Sequence, residues 1–277
     1  MTPGETPPSE TPPGGITTSD LLGALLIRTW RHQGRQALLV PAAAGTGLVA
    51  LLLVLPHVFP GAVHGELVAA DNGLVAVAGL HSATSRALST ALLVAPTLLG
   101  VAAALITGAV SRAVVSGDLG SGSMEALLAS PVRLRSVYLA YTACALITGA
   151  LSWLVLVVAF TGLAWVALTC GGSSVRLSSG YLLLGLLVPA ASVLWAASAT
   201  VFTGFRWPTG LRPTAGLGGG LARAVALLPA LGATTVSSML PDAYTTITGW
   251  YVGGTLALTA VLLVLMPLVF RVERVLE

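Results

Sequence analysis

Apolar residues run along this chain in long blocks separated by short polar intervals. An α-helix rises ~1.5 Å per residue, so about 20 apolar residues cross the ~30 Å hydrocarbon core of a bilayer. Six blocks are at or near that length: residues 37–56, 88–111, 137–160, 181–203, 224–240 and 249–270. The third lies inside an uncharged stretch from Ser136 to Val175. The fifth is the shortest and carries Pro229 and Gly232, so it is expected to tilt, kink or extend inward through Leu217–Leu221. The pattern predicts an all-α integral membrane protein with six transmembrane helices.

The first block is preceded by a different pattern. Over residues 19–36, Arg28, Arg31 and Arg35 recur three and four apart and share one helical face. Leu21, Leu22, Leu25, Leu26 and Trp30 take much of the remainder. Ser19 or Asp20 is placed to cap the N-terminus. This predicts an amphipathic interface helix before span 1, Arg toward lipid phosphates and Trp30 at headgroup depth. The other reading is a cytoplasmic extension of span 1. Residues 1–18 are a Pro/Thr-rich tail with too little apolar surface to offset the entropy of ordering. No basic stretch leads it into an apolar core, so it does not read as a signal peptide. The domain reading is therefore a disordered tail (1–18), an interface helix (19–36) and a six-span membrane domain (37–277).

Composition supports the membrane assignment. Of 277 residues, 55% are hydrophobic and only 8% are charged, with a mean hydropathy of +0.91. Soluble domains are about one-quarter charged, so this chain cannot coat a soluble globule. All 13 basic Lys/Arg positions are Arg. Without Lys there is no conventional phosphate-binding P-loop and no Schiff-base chemistry. The net charge of +3 is spread thinly between apolar blocks, as topology signals are, and does not point to nucleic acid.

The Arg positions orient the spans. With the N-terminus inside, Arg28, Arg31, Arg35, Arg112, Arg133, Arg135, Arg206, Arg212, Arg223, Arg271 and Arg274 face the cytoplasm, and only Arg86 and Arg176 face out. Positive residues concentrate on the cytoplasmic side, so both termini are expected there. Cys144 and Cys170 sit 26 residues apart in one apolar stretch. On a single helix that is ~39 Å, too far for a disulfide.

No Asp, Glu, His or Arg lies inside the six core spans. Ion-coupled carriers usually need such a group at membrane depth, and intramembrane hydrolases need a base beside the nucleophile. No polar ring marks a channel. The outer loop with His57, His64, His81, Glu66 and Asp71 has no tight ligand spacing and reads as solvated. Small residues recur instead: Gly100, Ala104 and Gly108 on span 2, Ser192, Ala196 and Thr200 on span 4, Gly249 and Gly253 on span 6. Such stripes let helices approach closely, either within one bundle or at a dimer seam. Pro96, Pro189, Pro229 and Pro267 lie in or at the ends of spans and can kink them.

One inner loop carries a specific pattern. Gly117, Gly120 and Gly122 should break the helix after span 2, and Ser121 or Ser123 can cap a short new one. Glu125 falls in its first turn, where the helix dipole favours a carboxylate. Leu127 and Leu128 give it an apolar side, and Pro131 stops it. Arg133 and Arg135 then anchor the next span at the inner surface. A short exposed helix between two spans can push, or be pushed by, a cytoplasmic partner.

The string Gly122-Ser123-Met124-Glu125-Ala126-Leu127-Leu128-Ala129-Ser130-Pro131 resembles the Gly-Ser/Thr-x-Glu-x-Leu-Leu-x-Ser-Pro segment of ABC-2-type transporter permeases. In that family the segment joins spans 2 and 3 and forms the coupling helix that touches the ATPase. The helix at residues 19–36 resembles the family's interface helix. The resemblance implies a bacterial plasma-membrane exporter subunit, paired with a second copy or a similar permease. A separate ATP-binding subunit would hold ATP and magnesium, with no cofactor or catalytic residue in this chain. Gly122, Ser123, Glu125, Leu127, Leu128, Ser130, Pro131 and Arg133 would then be the ATPase-coupling residues. The chain departs from the family between spans 5 and 6, where only Pro241–Thr248 intervene and an outer gate of re-entrant helices has no room. An uncharged path suits an amphiphilic or hydrophobic substrate. A structural or assembly membrane protein and an ion-coupled carrier remain the competing classes.

Overall fold

The computed structural model describes residues 17–58, 75–78, 82–124, 127, 134–207, 218–240 and 243–269. Six long helices carry most of the described residues: α1 (Thr18–Val58), α2 (Ala83–Gly120), α3 (Leu134–Cys170), α4 (Ser179–Arg206), α5 (Gly218–Met239) and α6 (Tyr244–Val269). Five of them, α1, α2, α3, α4 and α6, are long and apolar enough to cross a membrane. This makes the chain a multi-pass membrane protein by its helical architecture. In α5 the apolar run covers only Arg223–Ser237, shorter than the other five. The helix does begin at Gly218, within the Leu217–Leu221 stretch through which its sequence suggested an extension.

Several helices are longer than expected. The predicted interface helix and span 1 form one unbroken α1 of 41 residues. Its cap is Thr17, one turn before Asp20: the Asp20 backbone N–H donates to the Thr17 Oγ1 at 3.3 Å, and Thr17 N–H to the Asp20 carboxylate at 3.1 Å. This reciprocal pairing occupies two otherwise free backbone donors. Ser19 and Asp20 were each placed to be the cap; Asp20 is instead its acidic partner.

Helix α2 has the same device at its start, with Ser85 N–H donating to Ser82 Oγ at 3.0 Å and Ser82 N–H to Ser85 Oγ at 3.2 Å. At 38 and 37 residues, α2 and α3 are ~55 Å long, well beyond the ~30 Å hydrocarbon core. Such helices tilt or protrude. Cys144 and Cys170 share α3, as expected, and both are free thiols.

The α1–α2 and α3–α4 connections contribute an element that apolar block lengths cannot reveal. Val75–Ala78 (β1) pairs antiparallel with Ser174–Leu177 (β2), with Ala76 opposite Arg176 and Val77 opposite Val175. The ribbon puts the α1–α2 and α3–α4 connections at the same end of the bundle. Gly172, at φ +75°, makes the turn from α3 into β2, a backbone conformation that favours glycine.

Two apolar clusters fill the long axis. At the ribbon end, Val49, Leu88, Leu92, Leu156, Phe160 and Leu168 join α1, α2 and α3. At the opposite end, Leu21, Leu25, Val115, Val137, Tyr141 and Phe205 join α1, α2, α3 and α4. The described arginines divide accordingly. Arg86 and Arg176 lie on the elements at the ribbon end. Arg28, Arg31, Arg35, Arg112, Arg135, Arg206 and Arg223 lie in the helix halves of the other end.

Prolines inside helices leave a carbonyl one turn back without its N–H partner. At three of them a neighbouring helix supplies the donor. Pro41 frees the Ala37 carbonyl, which accepts from Ser152 Oγ at 2.9 Å. Pro96 frees that of Leu92, which accepts from Tyr181 OH at 2.6 Å. Pro229 frees that of Val225, which accepts from Trp195 Nε1 at 2.9 Å. Each proline thus becomes an interhelical tie, linking α1 to α3, α2 to α4 and α5 to α4.

Candidate functional site

The predicted coupling loop meets the bundle through a buried carboxylate. Gly117 and Gly120 do not break α2; it runs to Gly120 and ends on Ser121, whose backbone N–H donates to the Gly117 carbonyl at 3.1 Å. Gly122 then turns the chain at φ +69°. A glycine in this left-handed conformation just past the cap is a common helix stop. Because α2 continues, Asp118 is a helical residue rather than a loop residue, and its side chain is only 3% exposed.

Asp118 holds three helices together. The Arg28 guanidinium of α1 forms an ion pair with one carboxylate oxygen. The Tyr141 hydroxyl of α3 donates to the other. Charge-assisted bonds on both oxygens satisfy a group that would otherwise be costly to bury. Tyr141 is itself fixed edge-to-face against Phe205 of α4, with ring centroids 5.6 Å apart. At the next position of α1, the Thr29 hydroxyl and the Cys144 sulfur lie 3.6 Å apart. Beside the ion pair opens a cleft of about 250 Å³, lined by Leu25, Arg28, His32, Gln33 and Asp118 among others.

Arg28 therefore turns inward to a carboxylate, whereas the sequence pattern directed it to lipid phosphates. Arg31, Arg35 and Trp30 are exposed, the last at 50%. So the three-arginine face is divided: one residue fastens α1 to α2, and two remain available at the surface.

The loop after Gly122 starts helically, with Ser123, Met124 and Leu127 in helical conformation. Ser121 and Ser123 hydroxyls are 2.7 Å apart. Met124 is 1% exposed and belongs to the same apolar cluster as Leu21, Leu25 and Val137, with Leu127 packed against it. Glu125, Leu128, Ser130, Pro131 and Arg133 lie outside the described residues. What is described is the root of the segment, seated on α1 and α3 directly beside the Asp118 centre.

The small-residue stripes separate by what covers them. A Cβ on Gly100 would come within 3.0 Å of Ser192 Oγ and Val188 Cγ1. On Gly108 it would meet Ala226 and Thr200 at 3.7 Å. Ala104 lies buried between them with Val188, Ala196 and Ala226. The stripe on α2 is thus packed against α4 and α5 within one chain. Next to Gly249 and Gly253 on α6 there is open space.

Asp118 as a pairing centre escaped the sequence pattern. Arg28 and Tyr141 lie 90 residues before and 23 after it, and no periodicity links positions on different helices. The available signal was its isolation: it is the one acidic residue between Asp71 and Glu125. No protein-family model, curated protein or solved structure matches this chain.

Proposed function

We propose that this chain is the membrane-spanning subunit of an ATP-driven exporter, powered by a separate ATP-binding subunit at the arginine-rich end. The observation that carries the reading is the root of the Gly122–Pro131 segment. A Gly-stopped helix hands over to a short helical start whose Met124 is sunk into the core formed by α1 and α3. Force applied to such a segment reaches α1, α2 and α3 together through Met124 and the Asp118 centre.

In this account the arginine-rich end is cytoplasmic and α5 is the sixth crossing. At 22 residues α5 is ~33 Å long, enough to span when counted whole. The membrane is a bacterial plasma membrane. Two copies pair, or one copy pairs with a similar permease, and α6 with its uncovered Gly249 and Gly253 is the better-placed seam. ATP and magnesium belong to the partner. Closure of the ATP-binding subunits shifts the coupling segment, and the path opens for an amphiphilic or hydrophobic substrate.

Replacing Glu125 by Ala tests this assignment. ATP hydrolysis that depends on the permease should fall at least about tenfold, the loss expected when a charge-assisted contact is removed from an interface. The variant should insert and assemble as the parent does. Unchanged coupled hydrolysis would remove Glu125 from the interface.

An ion-coupled carrier is the second reading, and Asp118 is the observation in its favour. Its carboxylate already holds Arg28 and Tyr141, which suits a fastening better than a site that must load and release a cation. Uptake driven by a proton or sodium gradient without ATP would favour the carrier.

A further inference from the structure

Two arginines meet across a helix contact at the end of the bundle opposite the ribbon. Helix α2 leaves the ribbon end, and α5 returns to it, where Tyr244 just past α5 packs with Val75 of β1. The two helices touch where a Cβ on Gly108 would lie 3.7 Å from that of Ala226. One turn toward the ribbon, Ala104 and Ala230 are buried in one cluster, as an antiparallel register requires. One turn the other way stand Arg112, four residues past Gly108, and Arg223, three before Ala226. At ~1.5 Å per residue these steps are ~6 and ~4.5 Å, so the two arginines sit at nearly one height. Steps of three and four also keep them on the facing sides of their helices. Both line the same small cleft, walled further by Leu105, Ala109 and Leu227.

Neither arginine has an ion-pair or hydrogen-bond partner among the described residues. The two described acids are held elsewhere, Asp20 by Thr17 and Asp118 by Arg28. Arg112 is half-buried and Arg223 exposed. The start of α5 at Gly218 adds the positive end of a helix dipole nearby. Like charges held together this way call for an anion. Guanidinium groups donate, never accept, and their planar forks match a phosphate. The cleft encloses about 20 Å³, room for one oxygen-sized group, so a phosphate would sit at its rim.

The surroundings say which phosphate. Arg112 directly follows the apolar block 88–111, and Arg223 opens the apolar run of α5. Arginines at such boundaries stand at headgroup depth. From there toward the ribbon the surface is apolar, with Leu105 43% and Leu228 69% exposed. A free phosphate has no use for that surface, whereas acyl chains cover it. Basic pockets between membrane helices hold lipid headgroups in this way.

We infer that Arg112 and Arg223 together hold the phosphate of an anionic membrane lipid whose acyl chains run over Leu105 and Leu227. A zwitterionic lipid carries its own amine and has less to gain. Binding is read without ATP, so the inference stands apart from how transport is powered.

The test uses the full chain in phosphatidylcholine nanodiscs doped with phosphatidylglycerol that carries a diazirine near the carboxyl end of one acyl chain. Phosphatidylcholine with the same diazirine is the comparison. The phosphatidylglycerol should label α2 around Leu105 and α5 around Leu227 saturably. Each arginine near a lipid surface is worth about fivefold, so its apparent affinity should exceed that of phosphatidylcholine by about twentyfold. Arg112→Gln and Arg223→Gln should each weaken it about fivefold. Arg112→Lys, which keeps the charge and loses the fork, should fall between Gln and the parent. Arg86→Gln removes an equal charge at the ribbon end and should change nothing at this site. If a Gln variant fails to insert, the two lipids on the parent chain and the Lys variant decide. Equal labelling by the two lipids would overturn the inference, leaving the pair to an acidic partner protein. Displacement of the label by millimolar inorganic phosphate would overturn it in favour of a free anion. An Arg86→Gln loss as large as the others would reduce it to a general surface attraction.

Discussion

At the scale of single residues, Asp118 is a buried carboxylate held by a guanidinium and a hydroxyl from two other helices, and its pairing with Arg28 is not symmetric. Its own side chain is 3% exposed, whereas that of Arg28 is 42% exposed. Losing Arg28 leaves a buried carboxylate with one hydroxyl for company. Losing the charge on Asp118 leaves a guanidinium that can turn to water or to lipid phosphate. Arg28→Ala should therefore destabilise by about 3 kcal/mol, toward the range for breaking a buried pair. Asp118→Asn should lose only about 1 kcal/mol, the scale of a hydrogen bond weakened by losing its charge. Denaturant titration of the purified protein in mixed micelles reads both values. Equal losses would mean that burial of Asp118 is not what sets the cost. Sequence reading found Arg28 but aimed it wrongly, because a face of basic residues looks the same whether its partner is a phosphate or a carboxylate on the next helix, 90 residues along the chain.

Among the elements, the proline ties bind the bundle in a way that can be tested in pairs. Ser152→Ala leaves the Ala37 carbonyl without a donor and should lose about 1 kcal/mol, a typical interhelical hydrogen bond in lipid. In a Pro41→Ala background, residue 41 regains its N–H and the carbonyl is satisfied within α1. There Ser152→Ala should have almost no effect, leaving a coupling energy near 1 kcal/mol in the double-mutant cycle. Additive losses would mean that Ser152 acts by packing alone. The prolines were plain in the sequence, and kinks were expected of them. Their donors were not, since Ser152, Tyr181 and Trp195 lie on other helices. The ribbon was missed for a related reason: β1 and β2 are four residues each, and their pairing spans about a hundred residues of chain. Introducing Cys at Ala76 and Arg176, with Cys144 and Cys170 replaced by Ala, should give a disulfide on mild oxidation, because the two are directly opposed. Persistent free thiols on a mobility assay would contradict the register.

For the whole molecule, block length and composition made the helical membrane architecture legible, because a ~30 Å apolar slab imposes a simple length rule. Helix ends were less legible. Gly117 and Gly120 stay helical because the turn falls at Gly122, and Ser121 caps the helix behind it rather than the one ahead. The unbroken α1 likewise joins an amphipathic half to an apolar half that the sequence divided. The nine described Arg keep their division in the folded chain, and the root of the Gly122–Pro131 segment sits at the end where most of them gather. That placement gives the central claim, a permease driven by another chain's ATPase, its physical content. Affinity isolation of the tagged protein from its native membranes, followed by an ATPase assay on the eluate, tests it most directly. The account predicts a co-purifying subunit with a P-loop and ATP hydrolysis that drops when Glu125 is Ala. A chain that emerges alone, with no ATPase activity above background, would contradict it.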